Sequence, residues 1–397
     1  MNIKPRIGFP LSKGIDYIAH LAMGSDNPFR KKQAVVGVGE NGTGKTAIMS
    51  ARLEELTGKK PVVFNCSFHG EEMVGLPNFN MEDRTSEMFI NSNLLKIADD
   101  GKPHAIIIDE LGKGSKQIKR YMSSLLHDRS IGGRRIPDDC IVVALTNYAS
   151  EGLGDLFDPH ELTRATFVDL WKDTVETFVE NYGFSHFEPE ICAWLLQNPK
   201  VSESFLDLDR MFKPSELTER REYNDLGIFD PKDPVGSGKQ YVSYRTIESA
   251  DTNLKLLKAD FTLDDIRHGL IGSVGEKAAM SIITLVKLSG DLKSPADVEA
   301  DPSNCSLPRD GAASSIMINK LRTNCVVTNA EGVVNPAATQ ARITKFVTYI
   351  TRMKVEYQAQ FVKGAIKDSR CKVAMGQNKA YRALNQATQY LNTADKL

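Results

Sequence analysis

The octapeptide Gly39-Glu40-Asn41-Gly42-Thr43-Gly44-Lys45-Thr46 follows an apolar run, Ala34–Val38, and leads into Lys45–Leu56, whose spacing predicts a helix. It has a glycine, four free positions, then Gly-Lys-Thr. Strand before and helix after is the context in which that pattern binds phosphate. The glycines let backbone N–H groups curl around an anion without Cβ clashes. The helix start points its positive dipole end at the same place. Gly39 to Thr46 are therefore expected to hold ATP, with Lys45 reaching the β- and γ-phosphates and the Thr46 hydroxyl ligating Mg²⁺.

Further apolar runs are Pro61–Asn65, Ala105–Asp109, Cys140–Asn147 and a weaker Ala165–Leu170. Apolar strands alternating with helical stretches predict an α/β fold, a parallel sheet flanked by helices. Such sheets bring ligand-binding residues to the C-terminal ends of their strands. Asp109 ends one strand and is expected in the Mg²⁺ sphere; Glu110 beside it is the candidate general base that activates water. Asn147 ends another, where its amide can bond the attacking water or the γ-phosphate. Asn65 ends a third and is a candidate to hold Glu110 back. Arg164, after Asp158–Thr163, is a candidate arginine finger aimed at a neighbouring subunit's nucleotide, a role worth about 10³–10⁵ in rate. Arg245, opening a helix predicted over Thr246–Leu257, is a second candidate cation. Each has a plainer alternative: a strand-end turn for the asparagines, a surface side chain for the arginines.

The composition bounds what such a site can serve. The 397 residues carry 50 Lys+Arg and 51 Asp+Glu, so the chain does not grip nucleic acid by global charge, although local patches stay open. No apolar run reaches the roughly 18 residues of a membrane span. Met1–Pro10 lacks the apolar core of a secretory signal. Six scattered cysteines with no C-x-x-C read as reduced thiols of a cytoplasmic protein. From about residue 185 the pattern turns helical, with loops expected at Asp230–Gly238 and Pro295–Gly311. These shifts predict a nucleotide-binding core over 1–180, a helical domain over 181–290 and a helical extension over 291–397. Residues 151–233 hold 19 acidic and 8 basic residues, whereas 341–397 hold 11 basic and 3 acidic, so the extension is the basic end of the chain.

In this order, the phosphate loop, Asp109-Glu110, Asn147, Arg164 and Arg245 resemble the MoxR branch of the AAA+ ATPases. The layout is also similar to that of magnesium- and cobalt-chelatase motor subunits. Glu71-Glu72-Met73-Val74-Gly75 is similar to the branch's acidic stretch, where an insert interrupts helix 2. His127–Pro137 is similar to its pre-sensor hairpin. Phe261–Ile266 with Gly272–Glu276 is similar to its helical lid, which places the lid in 181–290. The resemblance covers roughly residues 5–300. It departs at Glu40-Asn41, where the family often has Pro, and offers no motif for the last hundred or so residues. It implies Mg²⁺-dependent ATP hydrolysis in a homo-oligomeric ring, usually a hexamer, with ATP at subunit boundaries. It further implies remodelling of a protein client, often beside a separate chain carrying a von Willebrand-type domain.

Two other readings stay open. Arg129, Arg134 and Arg135, with Lys113, Lys116, Lys119 and Arg120, form a locally basic stretch. It is a solvated surface, a grip on nucleic-acid phosphates in a motor or loader, or a grip on an acidic polypeptide. A nucleotide-gated scaffold with slow turnover is the third class, which Glu110 opposes. Met73, Val74, Leu76 and Phe79, in a loop-like context, are expected to pack rather than to touch a client. An apolar stripe, Ile343, Phe346, Val347, Ile350, Tyr357 and Phe361, continuing through Tyr381, Leu384, Thr388 and Leu391, predicts helices near the C-terminus.

Overall fold

Ala105 to Ile108 are fully buried in the computed structural model, which describes residues 8–24, 33–68, 74–90, 105–148, 163–213, 215–233, 240–329, 332–362 and 369–394. The strands are β1 (Phe9–Pro10), β2 (Val35–Gly39), β3 (Val62–Asn65), β4 (Gly75–Asn80), β5 (Thr85–Ile90), β6 (Ala105–Asp109), β7 (Ser130–Ile131), β8 (Arg134–Arg135), β9 (Ile141–Thr146) and β10 (Thr166–Trp171). Six of them form one sheet in the order β1-β10-β2-β9-β6-β3, and every pairing in it is parallel. The α/β fold read from the sequence is the fold observed.

The sheet is covered on both faces because its central strands are apolar on both. Ile106 and Ile108 of β6 join one cluster with Ile118, Met122 and Leu125 of helix Lys116–His127. Ala105 and Ile107 join the opposite cluster with Leu11, Ile15 and Ile18 of helix Leu11–Met23 and with Met49 and Leu53 of helix Lys45–Thr57. Each fully buried isoleucine contributes about 1.5–3 kcal/mol. These helices are α1 (Leu11–Met23), α2 (Lys45–Thr57) and α3 (Lys116–His127). Alternation of strand and helix puts the C-terminal ends of β2, β6 and β9 at the same edge, where the phosphate loop lies.

Residues group into two compact units, Met1–Asp173 with Ser204–Leu217 and Pro231–Pro234, and Thr174–Glu203 with Thr218–Asp230 and Val235–Leu397. The first holds the sheet. The second is helical and has two apolar clusters. One surrounds Trp194 and includes Ile191, Ile247, Leu254, Leu270 and Ile282. The other surrounds Phe346, Tyr349 and Phe361, so the stripe near the C-terminus is core. The side chain of Leu391 lies outside the described residues.

Several expectations change. Pro295–Gly311 is not all loop: Pro295–Ala300 is a helix, started by Ser294, whose hydroxyl accepts from the Asp297 amide while the Asp297 carboxylate accepts from the Ser294 amide. The stretch after β3 is not loop-like throughout, because β4 and β5 form an antiparallel hairpin. Val74 packs in the core as expected, but Phe79 is 66% exposed. Glu71, Glu72 and Met73 lie outside the described residues, as do Asp158 to Leu162. His127–Pro137 does contain a hairpin, β7 paired antiparallel to β8. Its turn uses Gly132 and Gly133 at φ 54° and 85°, the left-handed pair such a tight turn requires.

Candidate phosphate-binding and metal site

Gly39 ends β2 and Lys45 begins α2, so five residues make the turn between them. Gly42 and Gly44 take φ values of 72° and 88°, where a Cβ would be strained. Thr43 Oγ1 donates to the Glu40 carbonyl at 3.0 Å, closing the loop on itself. Lys45 is buried, and its Nζ donates to the carbonyls of Gly39 and Glu40, both at 2.7 Å, and to Asn147 Oδ1 at 2.9 Å. The structure therefore brings Asn147, just past β9, to the ammonium that the sequence assigned to the phosphates.

Thr46 Oγ1 donates to Asp109 Oδ2 at 2.9 Å, and Asp109 Oδ1 accepts from the Glu110 amide at 3.0 Å. A hydroxyl and a carboxylate side by side at the mouth of an anion-binding loop suit Mg²⁺, a hard cation held through one or two carboxylates, waters and substrate phosphates. Burial pushes the Asp109 carboxyl up; its hydrogen bonds from Thr46 and the Glu110 amide pull the other way.

Glu110 sits in the left-handed region at φ 51°, a conformation few non-glycine residues adopt. The turn after it folds Lys113 back, so that Lys113 Nζ lies 2.9 Å from Glu110 Oε1. Thr46, Asp109 and Glu110 thus stand in sequence along one edge, and the Gly112 amide donates to Thr146 Oγ1 at 3.1 Å, fixing the turn to β9. Lys113, which the sequence reading placed only in a basic patch, is a partner of the candidate base. The Asn65 amide oxygen accepts from the Ser67 amide and hydroxyl, at 2.9 and 2.7 Å.

Arg164 is not part of this cluster. It is exposed and precedes β10, whose Thr166 pairs with Val35 while Leu170 pairs with Gly39. Four strand rises of about 3.3 Å, or ~13 Å, separate the start of β10 from the level of the loop, and Arg164 is two residues further back. Arg245 is exposed at the start of helix Tyr244–Leu257, in the second unit.

The loop also contains a contact the sequence did not disclose. Lys172, immediately after β10, places Nζ 3.2 Å from Glu40 Oε1, and each residue is 2% exposed. Burial raises the Glu40 carboxyl, Lys172 opposes that rise, and Asp207 adds to it. Nothing in local sequence pairs these residues; the parallel register of β2 and β10 does.

No family model and no curated protein matches this sequence. Solved structures resemble it distantly. One is a chain of Hsp104 in a closed state with ATPγS and FITC-casein, 15% identical at a TM-score of 0.28, covering 52% of this chain. This chain spans 38% of that Hsp104 chain's length. Another is a mutant of Thermotoga maritima RuvB, 12% identical at a TM-score of 0.32, covering 83% of this chain and 92% of that one. A third is the Thermotoga maritima RuvB Holliday junction branch migration motor, 14% identical at 0.30 with the same coverage. Similarity this remote leaves the functional reading to the geometry of the site.

Proposed function

We propose that this chain is an Mg²⁺-dependent ATPase of the AAA+ class, in its MoxR branch, which assembles as a ring and remodels a protein client. The observation that carries the ATPase reading is the convergence onto one loop mouth of Lys45 and Thr46, at the start of α2, with Asp109 and Asn147, at the ends of the adjacent strands β6 and β9. A phosphate-binding loop alone needs neither the carboxylate beside Thr46 nor the amide beside Lys45. Bound Mg²⁺ would neutralise charge on the β- and γ-phosphates. This chain's residues do the rest: loop amides and Lys45 hold the phosphate chain, Asn147 orients what lies against the γ-phosphate, and Glu110 accepts a proton from water. Arg164, remote from its own loop, fits a finger supplied to a neighbour.

Glu110→Gln tests the reading. It is expected to retain ATP binding and to lose at least about 10²-fold in turnover, the scale of general-base loss, measured as phosphate release at saturating ATP. Unchanged hydrolysis would remove Glu110 from the mechanism. The trapped variant is also the means of capturing a client.

A nucleic-acid motor is the second reading, favoured by the exposed Arg134 and Arg135 on the β7–β8 hairpin. It expects DNA affinity to fall steeply with salt, and Arg134→Ala/Arg135→Ala to flatten that slope. Absence of DNA binding at low salt with ATP present would leave the client-remodelling reading.

A further inference from the structure

We propose that Lys172 is a positioning residue for nucleotide: its buried ammonium is the counter-charge that allows the phosphate loop to contain an acid. The inference rests on the ATP-binding reading and concerns the same loop. Glu40 occupies the first free position after Gly39, and its side chain is turned inward, 3% exposed, against a lysine side chain that is 1% exposed. The backbone of the same residue serves the site directly, since the Glu40 carbonyl accepts from both Lys45 Nζ and Thr43 Oγ1. A displacement of Glu40 therefore displaces the acceptor to which Lys45 is bonded.

Charge makes the arrangement demanding. A carboxylate within a loop that must receive polyphosphate repels its ligand, and a dry surrounding strengthens the repulsion. Asp207, whose carboxylate caps helix Phe205–Met211, adds a second negative charge that acts on Glu40. Lys172 is the cation in contact with the Glu40 carboxylate. The other Glu40 oxygen, Oε2, is buried with no hydrogen-bond partner among the described residues, so solvent does not screen the carboxylate from that side. Removing one member of a buried pair leaves an uncompensated charge, whereas removing both need not be costly. That asymmetry gives the pair a signature an ordinary packing residue lacks.

The expected order of affinities follows. Lys172→Met removes the ion-pair partner of the Glu40 carboxylate, leaving only the more distant pull of Lys45, and should weaken ATP binding about tenfold or more. Adding Glu40→Gln to Lys172→Met should recover most of that loss, to within about threefold of the native chain. The measurement is equilibrium dialysis with Mg-ATP, with folding of each chain checked by circular dichroism and thermal melting. Native affinity in a folded Lys172→Met chain would overturn the proposal, as would a folded double variant that binds no better than the single one. If Lys172→Met does not fold, the double variant decides alone: near-native binding supports the counter-charge, and binding about tenfold weaker overturns it. A double variant that also fails to fold makes the pair a requirement of the fold and overturns the role in binding. The native chain is dialysed alongside. If it binds no ATP, the ATP-binding reading fails, an outcome distinct from native binding with unmoved variants.

Discussion

Lys45 directs its ammonium at three oxygens of its own chain, two of them backbone carbonyls of the loop it closes. If the loop holds nucleotide as proposed, that ammonium turns from these oxygens to phosphate, and the side chain matters to ligand more than to fold. Lys45→Ala is expected to abolish ATP binding in equilibrium dialysis while the chain still melts cooperatively. Each carbonyl it leaves behind costs at most about 1–3 kcal/mol of stability, while Met49 and Leu53 keep the same helix packed in the core. Normal nucleotide affinity in a folded Lys45→Ala chain would count against the loop. Lys45 and Thr46 are legible in the sequence because they close the Gly-x4-Gly-Lys-Thr pattern, and Asp109 and Asn147 because each stands where an apolar strand stops and a polar residue begins. Lys172 and Lys113 are not. Lys172 meets Glu40 only through the pairing of β2 with β10, and Lys113 reaches Glu110 only because Glu110 takes a left-handed turn.

Five of the six strands of the central sheet are legible to within a residue, four of them from unbroken apolar runs and β10 from a weaker one, whereas the two-residue β1 leaves no such run and is missed. Ala105–Asp109 is the same in sequence and structure. The β4–β5 hairpin is harder to read: Pro77 lies inside β4, a position that ordinarily demotes a strand, and an isolated two-stranded hairpin carries little core signal. α1 is missed although Leu11, Ile15, Ile18 and Ala22 lie along one face, because Gly14 interrupts the pattern. At this scale packing supplies a sharp test. A Cβ on Gly37 would stand 2.9 Å from both Ile18 Cδ1 and Leu145 Cδ2 and 3.0 Å from Leu170 Cδ1, so β2, β9, β10 and α1 meet where no side chain fits. Gly37→Ala should destabilise the chain by about 1–3 kcal/mol through overpacking, read as a lowered midpoint in urea unfolding. A midpoint unchanged from the native chain would show that these elements have slack to absorb a methyl group.

Arg164 belongs to the scale of the whole molecule, because it stands exposed before the strand whose far end lies beside the phosphate loop and is proposed to serve a neighbour. If it acts on a neighbour's ATP, hydrolysis per subunit should rise with protein concentration as assemblies form. Arg164→Ala keeps its loop and should still bind ATP. Lys45→Ala keeps Arg164 but holds no nucleotide. Mixing the two inactive chains should restore part of the hydrolysis, at boundaries where an intact loop meets an intact arginine, once light scattering has shown that they co-assemble. An arginine working only within its own chain would restore nothing on mixing. Full activity at dilutions where only monomer is present would reject the shared site as well. The stimulation an arginine finger provides, about 10³–10⁵, means that even a small fraction of mixed boundaries should stand clear of two nearly silent parents.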